Sequence, residues 1–222
     1  MTVWKYLSVV ALQVGDLLMA AVPSIPEPGA LLVGLDGSLG GRTSGYDKRL
    51  GEMTGVYRDS AALAAATAEH GTEHLVYRVE EHRSGVGAGA LIIGTSTLLP
   101  GRYGDEFAVT RGHLHRKPDR AELYHCLSGS GVLLMEALDG RGRAVPLTPG
   151  AAVHVPGHWV HRSVNVGDVP LVTLFCYPED AGQNYEIIGA AGGMAQLVVD
   201  DGAGGWTTRA NPDHLGYRAV AA

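Results

Sequence analysis

Three histidines and a glutamate define the chemistry open to this chain of 222 residues. His113 and His115 stand two apart in the run Thr110, Arg111, Gly112, His113, Leu114, His115. In an extended strand such residues point to the same face, so the two imidazoles lie side by side. Glu122 opens the next apolar run after a polar turn, and a hairpin brings its carboxylate opposite that pair. Three ligands from two adjacent strands then form an open face with positions left for water or substrate. His161, in the run from Pro156 to Asn165, is the fourth candidate. A mixed imidazole and carboxylate set suits Fe(II), Mn, Ni, Co or Zn better than Mg or Ca. A metal with open positions polarises carbonyl groups and steadies developing negative charge. The other histidines in this region read differently. His158 reads as a pocket or rim residue, His125 alternates away from Glu122 and reads as structural or exposed, and His154 reads as a satisfied core histidine in an apolar strand.

Such ligands need strands to hold them. From residue 74 onward short apolar runs are broken by Gly and Pro. They predict strands at 74–80, 89–98, 106–110, 121–127, 130–137, 143–147, 151–155, 160–166 and 171–177. Turn signals such as Pro100-Gly101, Ser128-Gly129 and Pro149-Gly150 separate them. Upstream, Ala30 to Val33 reads as a first strand, followed by a Gly/Ser-rich loop through Gly45. One helix is expected over 59–70, capped by Asp59 or Ser60 and stopped by Gly71. The 32 glycines against two phenylalanines favour many short strands over a helical bundle. The expected architecture is all-β, a double-sheet jelly roll or barrel.

Residues 1–28 read as an N-terminal extension with a Pro-rich linker, and 29–222 as a single domain. Gln13 and Asp16 interrupt the apolar stretch Met1 to Val22. It therefore lacks the roughly 20 uninterrupted apolar residues of a membrane span. A short amphipathic helix, or a true start at Met19, accounts for it, and no membrane partner is expected. The net charge of −6 comes without a basic stripe, which argues against nucleic acid as a partner. Cys126 and Cys176 are isolated in apolar runs and read as small buried hydrophobes, so a cytoplasmic location is the default.

Taken together, His113, His115, Glu122 and Gly129, then Gly150, Pro156, His161 and Asn165, resemble the paired motifs of the cupin superfamily. The resemblance implies a cupin double-stranded β-helix, a jelly-roll barrel, with an N-terminal segment carrying one short helix. It also implies one divalent metal ion on His113, His115, Glu122 and His161. The spacer before Glu122 is longer than in most cupins. That spacing is similar to the cupin-type glucose-6-phosphate isomerases first known from archaea. The similarity extends through Asp119 to Tyr124, Pro156 to Pro170, Tyr177 to Tyr185 and Lys48 to Asp59, covering about residues 45 to 215.

By this resemblance the chain is a metal-dependent aldose–ketose isomerase acting on glucose 6-phosphate and fructose 6-phosphate. Fe(II) is the favoured metal and a homodimer the expected assembly. Glu122 is implied as base as well as ligand, and Tyr124 as a hydrogen-bonding partner of the substrate. Ser96, Thr110, Gly112, Tyr177 and Tyr185 are implied in phosphate recognition. Proton transfer and hydride shift both remain open. The chain departs from the family at Gln183, where a His is usual, at His158 in place of Tyr, and at Ser96 in place of Thr. Gln hydrogen-bonds but is no base at neutral pH. These departures keep two alternatives in view: another phosphosugar such as mannose 6-phosphate, or a cupin that binds a sugar phosphate without turning it over.

Overall fold

The apolar runs fold as strands. A computed structural model describes residues 27–217 except 42 and 88, so the readings made for residues 1–26 lie outside the described residues. In chain order the strands are β1 (Ser44–Arg49), β2 (Leu75–Arg83), β3 (Leu91–Leu98), β4 (Arg102–Tyr103) and β5 (Glu106–Val109). They continue as β6 (Leu114–His115), β7 (Glu122–Ser128), β8 (Gly131–Ala137), β9 (Gly142–Leu147) and β10 (Ala152–Val155). The last are β11 (Trp159–Asn165), β12 (Leu171–Pro178), β13 (Gln183–Asn184), β14 (Gln196–Asp200) and β15 (Trp206–Ala210). Two helices accompany them, α1 (Ser60–His70) and α2 (Glu186–Ala190).

One sheet runs in the order β1-β2-β3-β12-β7-β10. The other runs β15-β14-β5-β11-β8-β9, with β4 on β5, and β6 pairs separately with β13. Alternate side chains of the two sheets meet in one apolar cluster that includes Leu98, Cys126, Leu133, Val160 and Leu171. From β9 to β12 successive strands fall to alternate sheets, as in an all-β jelly roll. No helix among the described residues is long and apolar enough to cross a membrane.

Local chemistry accounts for the punctuation. The Asp59 carboxylate accepts the Ala62 N–H at 2.8 Å, and Gly71 at φ 85° ends α1, as expected from the sequence. Asn165 is fully buried at the end of β11. Its Nδ2 donates to the Leu98 and Val169 carbonyls at 2.9 Å each, while its Oδ1 accepts the Gly167 N–H at 3.0 Å. One side chain therefore stitches the β11–β12 turn to β3, which explains an Asn at this point of the motif.

Three expectations are corrected. Ala30 to Val33 is not a strand; Val33 makes only an isolated bridge to Leu39. The chain that follows is held by side chains instead, Thr95 Oγ1 donating to the Gly37 carbonyl at 2.5 Å and Ser128 Oγ to that of Leu35 at 2.8 Å. Residues 44–49, read as a loop up to Gly45, form edge strand β1. Finally, β14 and β15 were not expected. Trp206–Ala210 is largely exposed and shows no buried face, so a ladder of backbone hydrogen bonds holds it rather than burial. The anchor lies inside: buried Glu136 accepts the Ala195 and Gln196 N–H groups at 2.8 Å each and the Tyr217 hydroxyl at 2.5 Å.

Candidate metal centre

Gly112 turns the chain into the site. Its φ of 71° and its contacts leave no room for a side chain: a Cβ would meet Arg162 Cβ and the His161 carbonyl at 2.8 Å and Ile188 Cδ1 at 2.9 Å. The backbone can therefore press against β11. His113 then exchanges two backbone hydrogen bonds with His161, each 3.0 Å. His115 follows on β6, on the same face as His113 by alternation. The hairpin expected between the His115 and Glu122 runs does not form. β6 pairs with β13, whereas β7 lies between β12 and β10 in the six-stranded sheet. Residues 116–121 cross from one sheet to the other, and Glu122 meets the histidines across the barrel instead of beside them.

One ligand atom from each of His113, His115, Glu122 and His161 falls within 4.8 Å of all the others, and all four residues are buried. Glu122 Oε2 lies 2.9 Å from His161 Nε2, 3.2 Å from His115 Nε2 and 3.9 Å from His113 Nε2. The opposite nitrogens are fixed. His115 Nδ1 donates to the Arg120 carbonyl at 2.9 Å and His161 Nδ1 to that of Trp159 at 3.1 Å. These bonds place the N–H on Nδ1 and leave Nε2 with a lone pair facing Glu122.

His113 Nε2 is buried with no hydrogen-bond partner. A polar atom is costly to leave so, and a cation at the convergence of the four donors satisfies it. The residues present thus fit a divalent metal. Electrostatics agree at His113 and Glu122; at His115 burial pulls the imidazole pKa down, but the adjacent Glu122 carboxylate outweighs it and raises it. Burial, reinforced by the neighbouring His161, drives His113 well below its ordinary pKa, which keeps it a neutral ligand. Burial pushes the Glu122 carboxyl up, but the close imidazoles of His115 and His161, and the electrostatic influence of His161 and His113, outweigh it and hold the group below the usual carboxylate range.

The cluster opens into a pocket whose lining includes Ser96, Thr110, Gly112, Tyr124, Tyr177 and Tyr185 together with His113, Glu122 and His161. Each candidate for substrate contact read from the sequence therefore reaches one cavity, and His115 stands just behind its wall. Thr110 Oγ1 accepts the Ser163 N–H at 3.1 Å, which leaves its proton free to donate. Burial raises Tyr124, Tyr177 and Tyr185 above the ordinary tyrosine value, so all three hydroxyls stay protonated donors. Gln183 also lines the pocket. Its Nε2 donates to the Tyr177 hydroxyl at 3.3 Å, and its Oε1 accepts from the Tyr185 hydroxyl. The amide is a fixed bridge between two tyrosines. Arg111 packs its guanidinium 5.4 Å from the Tyr185 ring centroid.

Two histidines are corrected. His158 lines no part of this pocket; it is exposed, at φ 67°, with its N–H bonded to the Pro118 carbonyl. His154 is exposed as well, because Val153 and Val155 take the inward positions of β10. Sequence reasoning missed Tyr46, Tyr77, Glu81, Ser163 and Phe175 in the pocket wall. Alternation held a usable signal for β2, since Tyr77, Val79 and Glu81 share one face.

The family model described as glucose-6-phosphate isomerase matches residues 47–214 of this chain. A glucose-6-phosphate isomerase of Sinorhizobium medicae is 46% identical over 181 residues, 81% of this chain and 84% of that protein. Similar archaeal relatives include the glucose-6-phosphate isomerases of Thermococcus onnurineus, 38% identical over 70% of this chain and 80% of that protein. That of Pyrococcus horikoshii is 39% identical over 69% of this chain and 80% of its own length.

Proposed function

This chain belongs to the glucose-6-phosphate isomerase family and is an isomerase of glucose 6-phosphate and fructose 6-phosphate; we propose that the reaction runs at His113, His115, Glu122 and His161 around one divalent metal, Fe(II). The observation that carries this reading is the convergence of four buried donors, one of them the unpartnered His113 Nε2, on the wall of a pocket lined with hydroxyl donors. Three imidazoles with a carboxylate support Fe(II) over Mg or Ca. When bound, the metal supplies Lewis-acid polarisation of a neighbouring carbonyl and hydroxyl.

The protein groups supply binding and proton handling. Aldose-to-ketose conversion moves one hydrogen from C2 to C1 and one hydroxyl proton from O2 to O1. His161, His115 and His113 all approach Glu122 at Oε2, so Oε1 carries the proton from C2 to C1. Tyr124, beside His161 with ring centroids 5.8 Å apart, stays protonated and donates to a substrate oxygen. Ser96, Thr110 and Tyr177 offer hydroxyl donors to the phosphate, Tyr185 donates to it in exchange for its bond to Gln183, and Gly112 allows its backbone to approach. Gln183 contributes no base; it orients Tyr177 and Tyr185.

A homodimer fits the exposed Leu91 (38%) and Leu123 (45%) of the six-stranded sheet and its edges β1 and β10. The two free thiols, Cys126 and Cys176, fit a reducing cytoplasm. Metal-loaded protein given glucose 6-phosphate in D2O is expected to form fructose 6-phosphate carrying deuterium at C1. Absence of fructose 6-phosphate, or a faster reaction on mannose 6-phosphate, would overturn the substrate assignment. Product without deuterium would overturn the role of Glu122 as proton carrier.

A further inference from the structure

We propose that Asp180 is a positioning residue that holds the metal-facing orientation of His115 and the tyrosine wall of the pocket in one clamp. The inference rests on the metal reading above.

Asp180 sits in the short 3-10 turn Glu179–Ala181 that follows β12. Its Oδ1 accepts from Arg120 Nε at 2.9 Å, and its Oδ2 accepts from Arg120 Nη2 and Lys117 Nζ, both at 2.8 Å. Both donors belong to the 116–121 crossing between ligands His115 and Glu122. The Arg120 carbonyl is the group that accepts His115 Nδ1–H at 2.9 Å. The Asp180 carboxylate therefore anchors, through Arg120, the acceptor that fixes the tautomer and ring orientation of a metal ligand.

The same carboxylate governs the pocket wall on its other side. Backbone bonds join Arg116 N to the Gly182 carbonyl at 3.2 Å and Lys117 N to that of Ala181 at 2.8 Å. Immediately beyond, Gln183 pairs with His115 on β6 and bridges the hydroxyls of Tyr177 and Tyr185. The crossing and the wall are thus two sides of one turn. The spacer before Glu122 is long enough to bring both Lys117 and Arg120 to this turn.

An exposed ion pair usually contributes little, and the side chains of Asp180 (26%), Arg120 (31%) and Lys117 (53%) are all partly exposed. Two features separate this cluster from that ordinary case. The Arg120 contact is bidentate, which fixes direction as well as distance. The residues it ties together flank the site on both sides, and outer partners of metal-bound histidines typically carry 10–100-fold in metal affinity.

The test uses the full chain, stripped of metal and titrated with Mn(II) alone, with free Mn(II) read by its EPR signal. Asp180→Ala is expected to weaken Mn(II) binding about 10-fold or more. It should also raise KM for fructose 6-phosphate. Arg120→Met should do the same, and the double variant should lose no more than the worse single one, because both act through one contact. Asp180→Asn, which keeps the shape but only one acceptor oxygen, should fall between; with Arg120→Met it carries the test if Asp180→Ala does not fold. Mn(II) affinity and KM within twofold of wild type, or losses that add in the double variant, would overturn the inference. Wild-type protein that binds no Mn(II) would overturn the metal reading and this inference together.

Discussion

Glu122→Gln is expected to lower kcat/KM for fructose 6-phosphate by about 10³-fold or more, with the fold retained. Two losses combine. Gln cannot take a proton from C2, and general acid–base groups contribute roughly 10²–10⁴-fold. The substitution also replaces an anionic ligand by a neutral amide among three imidazoles, which weakens the hold on any divalent cation. Glu122 is buried, with Oε2 2.9 Å from His161 Nε2 and 3.2 Å from His115 Nε2. The amide keeps the carboxylate's shape, so packing is preserved and the loss is chemical. Steady-state kinetics with saturating Mn(II), beside circular dichroism, check this. Activity within tenfold of wild type at full metal occupancy would remove Glu122 from proton transfer.

Gly112→Ala is expected to cost about 2–4 kcal/mol of stability and about 10²-fold in kcat/KM, a loss larger than its single methyl suggests. At φ 71° an L-residue is strained whatever the surrounding space. Here the space is also filled: the new Cβ would stand 2.8 Å from Arg162 Cβ and from the His161 carbonyl. Relief requires the 110–113 backbone to leave β11. That breaks the paired bonds between His113 and His161, each 3.0 Å, and misplaces two ligands. Chemical denaturation and kinetics read the two effects separately. A variant as stable and active as wild type would show that this close approach is dispensable.

The ligands were legible in the sequence because local alternation alone sets the shared face of His113 and His115, and the cupin-like spacing added Glu122 and His161. How they meet was not legible. The sequence suggested a hairpin, but strand pairing is a long-range choice, and β7 found its partners in β10 and β12 rather than in β6. Histidine environments failed for a related reason. Apolar neighbours made His154 look like core, yet in a strand those neighbours, Val153 and Val155, hold the inward side and turn His154 out. His158 was misjudged because its φ of 67° turns the chain locally, which no spacing rule reveals. Strands β1 and β15 carry little buried apolar area, so neither announced itself by pattern. Tyr46 escaped notice as a pocket residue because it lies on the first of these.

The Asp180 clamp was illegible for another reason. Lys117 and Arg120 read as ordinary polar turn residues until the fold places them on a carboxylate 63 and 60 positions further along. Gln183, by contrast, stood out in the sequence as a departure, and the structure gives it a partner on each side, Tyr177 and Tyr185.

The central claim is that His113, His115, Glu122 and His161 hold one catalytic divalent ion. It is tested most directly by titrating EDTA-stripped protein with Fe(II) under anaerobic conditions while following formation of fructose 6-phosphate from glucose 6-phosphate. Activity should be lost on stripping, rise in proportion to added metal and level off at one equivalent per chain. Full turnover by metal-free protein would contradict the account.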